Sequence, residues 1–221
     1  MLDRESIRNG TTLDLVREGQ RLGLVDPVST EERDASRRAT LAAAPGPDAW
    51  VFGYGSLMWN PAFHFAEQRG GRIHGWHRRY CLWTPLGRGT PDNPGLMLGL
   101  DRGGACRGVA FRIAPEQVEE ETEILWTREM PARSYAPRWL PVTTDAGIVH
   151  AIAFTVRRDH PRYAGEIDID TMAKAIATAS GRLGSCADYL RNTVAHMNAL
   201  GARDSAMHRL LARVEAICGC A

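Results

Sequence analysis

The sequence predicts an α+β fold, and three features of it carry that prediction. From Trp50 onward, short apolar runs are broken by Gly and Pro, the texture of strands joined by turns. One helix interrupts them, Pro115 to about Met130, with proline in its first turn and Glu116, Glu119, Glu120 and Glu121 near its positive end. Beyond Asp159 the periodicity turns helical. Strands in the middle and helices gathered at the C-terminal end make α+β rather than alternating α/β.

Taken in order, residues 1–48 are polar, rich in Arg and Glu, and end in Ala42-Ala43-Ala44-Pro45-Gly46-Pro47-Asp48, where no helix continues. They read as an N-terminal polar arm and linker, partly mobile, ahead of one domain over 49–221. Helical turns are expected near Thr12–Gln20 and Thr30–Ala44, the second opened by Ser29-Thr30 with Glu31 and Glu32. The strand candidates are Trp50–Tyr54, Arg72–Trp76, Tyr80–Thr84, Leu96–Leu100, Arg107–Ile113, Arg138–Thr144 and Ile148–Val156, the last two flanking Asp145-Ala146-Gly147 as a hairpin loop. The closing helices are Asp170–Ser180, Ser185–Leu200 and Asp204–Ile217, the first two stopped by Gly181 and Gly201.

Composition narrows the function. The 221 residues carry Lys+Arg 27 against Asp+Glu 26, a net charge of +1, which argues against a nucleic-acid partner. No apolar run approaches the roughly 18 residues a membrane span needs, so no membrane partner is expected. Met1-Leu2-Asp3-Arg4-Glu5 lacks the order of a secretory signal, so a cytoplasmic location is expected. Cys81, Cys106, Cys186, Cys218 and Cys220 are odd in number and irregular in spacing, which is no disulfide framework. The pair Cys218-Gly219-Cys220 has no nearby His or Cys to complete a metal site, and His64, His74 and His77 lack helical ligand spacing. No metal and no cofactor is expected.

Two segments carry chemistry. In Val51-Phe52-Gly53-Tyr54-Gly55-Ser56-Leu57 a strand runs into alternating glycines, which either form a backbone nest for an anion or bulge to end the strand. It is no nucleotide loop, because the third glycine and the Lys-Ser/Thr are missing, and Ser56 has no hydrolase elbow around it. In the helix, Val118, Thr122, Leu125 and Glu129 recur at spacings of four, three and four, so Glu129 continues the inward face. A carboxylate there is either an acid/base group with its pKa raised by burial or one half of a buried ion pair. Arg128 is not the expected partner, since helix neighbours in sequence do not face each other. Arg78 or Arg79 offers a guanidinium for a substrate carboxylate, Tyr135 is placed to reach the Glu129 pocket from just past the helix, and the Gly-Pro-rich loop Gly87–Gly95 reads as a lid or rim.

These residues resemble a known family. Val51 to Pro61, Gly75-Trp76-His77-Arg78, Gly87-Arg88-Gly89-Thr90, Gly108-Val109-Ala110, Leu125-Trp126 with Arg128-Glu129-Met130, and Ala179-Ser180-Gly181 with Leu183-Gly184 and Tyr189-Leu190 look like the bacterial ChaC proteins, glutathione-specific gamma-glutamylcyclotransferases. The likeness runs in order from about residue 50 to 200. It implies a small mixed β-barrel with flanking helices and a helical C-terminal part. It also implies glutathione as substrate, cut to 5-oxoproline and Cys-Gly, with Val51 to Leu57 holding the γ-glutamyl group, Glu129 as acid/base and Tyr135 as the family's tyrosine after the catalytic helix. One departure stands out: Pro131-Ala132-Arg133-Ser134 replaces the family's usual glycine before that tyrosine, which puts substrate preference in question. The alternatives are a relative acting on γ-glutamyl amines or γ-glutamyl amino acids, and a non-catalytic regulator of cation transport. Self-association is left open.

Overall fold

A computed structural model describes residues 2–219 of the chain. Three helices open it: α1 (Arg4–Arg8), α2 (Thr11–Arg21) and α3 (Thr30–Ala42). Asp3 caps α1 by accepting from Ser6 N, and Ser29 caps α3 by accepting from Glu32 N at 3.1 Å. This arm is packed rather than pendant. Its arginines meet the acidic first turns of the central helix, Arg4 bonding Glu120 and Glu121 and Arg37 bonding Glu119, and Ile7, Arg33 and Arg37 are buried. Polarity read as solvent exposure is here used for ion pairing.

The strands that follow are β1 (Ala49–Gly53), β2 (Glu67–Thr84) and β3 (Gly95–Ile113), then α4 (Val118–Glu129) behind a short 3-10 turn, then the hairpin β4 (Tyr135–Thr144) and β5 (Gly147–Val156). The four short strands expected between Arg72 and Ile113 are two long ones paired along their length. Register shifts at His74/Trp76 and Tyr80/Leu82, with Gly75 at φ +78, bend this ladder without ending it. Pairing in the order β1-β3-β2-β4-β5 closes a barrel, and β5 returns alongside β1 in parallel, Trp50 opposite Ala151. The mixed barrel is therefore present. Next come α5 (Ile169–Thr178), a small hairpin of β6 (Ser180–Gly181) and β7 (Gly184–Ser185), α6 (Cys186–Ala199) and α7 (Ser205–Cys218); the three helices lie within two residues of their expected spans, and the hairpin occupies a stretch for which no strand was expected.

β1 is buried over its whole length, and its alternation separates two packing faces. Trp50, Phe52 and Tyr54 pack with Leu96, Leu98 and the α6 residues Tyr189 and Leu190. Ala49 and Val51 pack with Phe111, Ile113 and the α4 residues Leu125 and Trp126. Trp126 is fully buried, edge-on to Phe154 at 5.2 Å between centroids. A ring system of that size removes about 200 Å² from water, on the order of 5 kcal/mol at about 25 cal/mol per Å². Strand β1 is thus held between α6 and α4, and the loop leaving it emerges where the end of α4 meets the start of α6.

Candidate active site

Glu129 is the last residue of α4, one turn past Leu125 and Trp126, both buried. Its side chain is 17% exposed, and Arg128 beside it is 6% exposed. Contrary to the expectation from helix geometry, these neighbours pair: Arg128 Nε lies 3.1 Å from Glu129 Oε1. The reason lies in the loop after β1. Arg128 Nη1 donates to Asn60 O at 2.6 Å and Nη2 donates to Ser56 Oγ at 2.9 Å, which folds the long guanidinium stem back beside the carboxylate. Burial pushes the Glu129 carboxyl above the ordinary glutamate range, and Arg128 opposes that shift without cancelling it.

The loop itself follows the sequence reading in outline. Val51, Phe52 and Gly53 are β1 residues, and Ser56-Leu57-Met58 form a 3-10 turn whose opening N–H groups have no acceptor within the turn. Tyr54 leaves the strand with its hydroxyl donating to Phe154 O at 2.8 Å. A Cβ at Gly55 would stand 3.0 Å from the Tyr189 hydroxyl, so the backbone approaches that phenol closely only because residue 55 has no side chain. Tyr135 is the first residue of β4, not a loop residue, and its hydroxyl donates to Leu98 O at 2.8 Å. Burial raises the phenols of Tyr54, Tyr135 and Tyr189, with the charge of Glu129 adding to it, so all three keep their protons around the carboxylate.

Two adjoining clefts meet at Ser56, Glu129 and Tyr189. The inner one, about 30 Å³, is closed by Tyr54, Gly55, Leu57, Leu98 and Phe154. The outer one, about 130 Å³, is bounded by Trp59, Asn60, Arg88, Met97, Leu183 and Leu2. The loop Gly87–Gly95 contributes Arg88 to this rim. Its guanidinium lies 5.0 Å over the Tyr189 ring, and Nη1 donates to Ser185 O at 3.0 Å. Arg88 and Tyr189 are site residues that the residue-by-residue reading passed over. The signal for Tyr189 was there: it lies on the buried stripe of α6 with Cys186, Leu190 and Thr193, where a phenol needs a purpose for its hydroxyl.

Arg78 is not brought to this place. Its side chain donates to Arg107 O and lies 3.7 Å from Asp204, in a cavity with Arg72 and Arg203 that shares no residue with the Glu129 clefts. Arg79 instead donates to Gly165 O and pairs with Asp101. His64 pairs with Glu121 at 3.0 Å and the ring of His77 lies 2.9 Å from Gly103 O. Among the described residues no group of three or more His, Cys, Asp or Glu is arranged to hold a metal ion. The Cys218–Cys220 pair lies partly outside the described residues, since Cys220 is not among them. No described helix is long and apolar enough to cross a membrane.

Comparison with known proteins points one way. A family model described as ChaC-like protein matches residues 49–217. The chain is 45% identical over 190 residues to a glutathione-specific gamma-glutamylcyclotransferase of Escherichia coli K12, covering 85% of this chain and 82% of that one. It is 34% identical to gamma-glutamylcyclotransferase 2-3 of Arabidopsis thaliana over 166 residues, covering 70% of this chain and 82% of that one. In fold it is similar to the crystal structure of a yeast gamma-glutamyl cyclotransferase specific to glutathione, with a TM-score of 0.70 at 23% identity over 76% of this chain and 96% of that one.

Proposed function

Because the chain belongs to the ChaC-like family, we propose that it is a glutathione-specific gamma-glutamylcyclotransferase, a lyase that releases 5-oxoproline and Cys-Gly from glutathione. The observation that carries the chemical part of this reading is Glu129: a largely buried carboxylate with a raised pKa, at the junction of two clefts and beside a glycine-rich loop.

The substrate supplies its own nucleophile. The α-amine of the γ-glutamyl group attacks the γ-carbonyl carbon, a five-membered ring closes, and the bond from that carbon to the cysteinyl nitrogen breaks. Intramolecular attack carries effective molarities on the order of 10⁵ M when well oriented, so positioning does much of the work. Protons remain to be moved. Glu129 takes one from the α-ammonium, freeing the lone pair, and returns it to the departing cysteinyl nitrogen; the second proton, left on the ring nitrogen by the attack, passes to that same departing nitrogen as the C–N bond breaks, so the products are the neutral lactam and the Cys-Gly ammonium and the carboxylate ends as it began. A raised pKa suits both halves of that exchange. Tyr54 to Leu57 hold the γ-glutamyl group, with the loop amides serving its α-carboxylate or the developing oxyanion, while Val51, Phe52 and Gly53, buried in β1 and lining neither cleft, support that loop from behind. The inner cleft is too small for a glutamyl group alone, so the reacting carbonyl sits at the shared boundary and the leaving dipeptide lies in the outer cleft, where Arg88 faces its carboxylate.

Glutathione rather than another γ-glutamyl compound is supported by where the departure from the family pattern lies. Arg133 pairs with Glu32 through two bonds of 2.9 Å and with Asp26 at 3.4 Å, and it lines a cavity separate from the Glu129 clefts. The test is mass-spectrometric detection of 5-oxoproline and Cys-Gly after incubation with reduced glutathione. Wild type produces both, Glu129→Gln loses at least about 10²-fold in rate, and N-acetylglutathione is inert because its amine is blocked. Release of free glutamate, or turnover of the N-acetyl compound at a comparable rate, overturns the cyclisation.

A further inference from the structure

We propose that the N-terminal segment Leu2–Arg8 forms part of the substrate cleft, with Leu2 as a specificity-determining wall for the leaving group and Arg4 as the positioning residue that holds it there. The inference rests on the reading of Glu129 as the reaction centre. What it adds is that a segment more than a hundred residues away in sequence decides what fits beside it.

The geometry is a chain of contacts. Leu2 borders the outer cleft together with Trp59, Met97 and Leu183. Its carbonyl accepts from Asn60 Nδ2 at 2.7 Å, while the carbonyl of Asn60 accepts from Arg128, the partner of Glu129. Two residues on, Arg4 reaches Glu121, whose side chain is 0% exposed. Both terminal nitrogens of the guanidinium donate to that carboxylate, Nη2 at 3.0 Å, and His64 N donates to it at 2.9 Å. Burial pushes the Glu121 carboxyl up, yet Arg4 and the His64 amide outweigh it and hold it below the ordinary range. A carboxylate with no solvent around it needs this partner, so the anchor is strong. Arg4 and Arg8 also bond Glu120 on the outer side of α4.

The other end of the arm is tied down as well. Val28 N donates to Pro131 O at 3.1 Å and Pro27 bridges Ala132, so the segment that departs from the family pattern is where the arm docks. An outer cleft of about 130 Å³ leaves room for a small leaving group, and one leucine is a large share of its apolar wall. Leu2, Met97 and Leu183 suit a short side chain such as the cysteinyl thiol, and Arg88 suits the terminal carboxylate beyond it. Enlarging that side chain sets it against Leu2.

Steady-state kinetics on the full chain tests this, with glutathione and S-methylglutathione as the substrate pair. Wild type favours glutathione by about tenfold or more in kcat/KM, the usual worth of one methyl group against a formed wall. Leu2→Ala brings that ratio to within about twofold, and Arg4→Ala does the same while raising KM for glutathione more than it lowers kcat. Arg4→Lys restores part of the discrimination. Should Arg4→Ala fail to fold, Leu2→Ala still decides, since it leaves the anchor intact. An unchanged ratio in Leu2→Ala with normal turnover of glutathione overturns the inference and leaves the enzyme reading standing. No turnover of glutathione by wild type overturns the enzyme reading, and this inference with it.

Discussion

In the proposed reaction Glu129 has to give up its proton before it can accept one from a substrate ammonium, and burial makes that harder while Arg128 makes it easier. The acid limb of the kcat/KM profile therefore lies above the ordinary glutamate range. Arg128→Gln removes the opposing charge and moves that limb to higher pH by about one unit or more, whereas Arg128→Lys, which keeps a cation, moves it less. A limb unmoved in Arg128→Gln means another group sets it. The same shift has a sign in stability. A carboxyl whose folded pKa is raised binds its proton more tightly folded than unfolded, so its contribution is largest below the ordinary glutamate range and is lost as pH rises through the folded value. The melting temperature of wild type relative to Glu129→Gln falls across that window, and curves parallel in pH exclude it. Glu129 was legible because a carboxylate on an apolar helical stripe is conspicuous. Its pairing with Arg128 was not, because periodicity assigns a face and says nothing about which way a long side chain bends at a helix end.

Between elements, the barrel relies on a buried acid that periodicity also leaves unannounced. Asp101 sits in the middle of β3 with its side chain 1% exposed and gathers Arg158 Nε at 2.6 Å, the Tyr163 hydroxyl at 2.7 Å and Arg79 Nη1 at 3.4 Å. It thereby ties β3 to its partner β2 and to the connection between β5 and α5. Burial raises its carboxyl, but Arg158 and Tyr163 outweigh that and hold it below the ordinary aspartate range. Asp101→Ala removes the acceptor shared by two guanidiniums and a phenol and costs about 1–3 kcal/mol in chemical denaturation. A change within about 0.5 kcal/mol shows the cluster to be solvated and inert. Asp101 begins the stretch Asp101-Arg102-Gly103-Gly104, which separates the two expected strands Leu96–Leu100 and Arg107–Ile113, as His77-Arg78-Arg79 separates the two expected within β2. In the fold the charges compensate each other across the ladder, and the glycines turn it without interrupting it. Tyr135 lies just outside the expected strand Arg138–Thr144 because β4 starts three residues earlier, and Pro137 within it is tolerated because at that position β4 pairs with β5 alone.

Over the whole molecule, the proposed reaction centre is assembled from places far apart in sequence: Ser56 after β1, Glu129 at the end of α4 and Tyr189 on α6. The C-terminal helices therefore have two separable duties, support and contact. Leu210 of α7 is 2% exposed, packs in the cluster that includes Leu190 and Val194 of α6, and lines neither cleft. Leu210→Ala leaves a cavity worth about 2–5 kcal/mol, a loss that a domain with about 5–15 kcal/mol of stability survives. Its midpoint in denaturant falls while kcat/KM at 25 °C stays within about twofold of wild type. Tyr189→Phe does the reverse: it removes only the hydroxyl at the junction of the two clefts, so kcat/KM drops about tenfold, the worth of one hydrogen bond to a charged group, with a small change in midpoint. If Leu210→Ala alone lowers turnover tenfold in molecules that remain folded, the helical layer does more than hold Tyr189 in position, and packing under α6 transmits directly to the clefts.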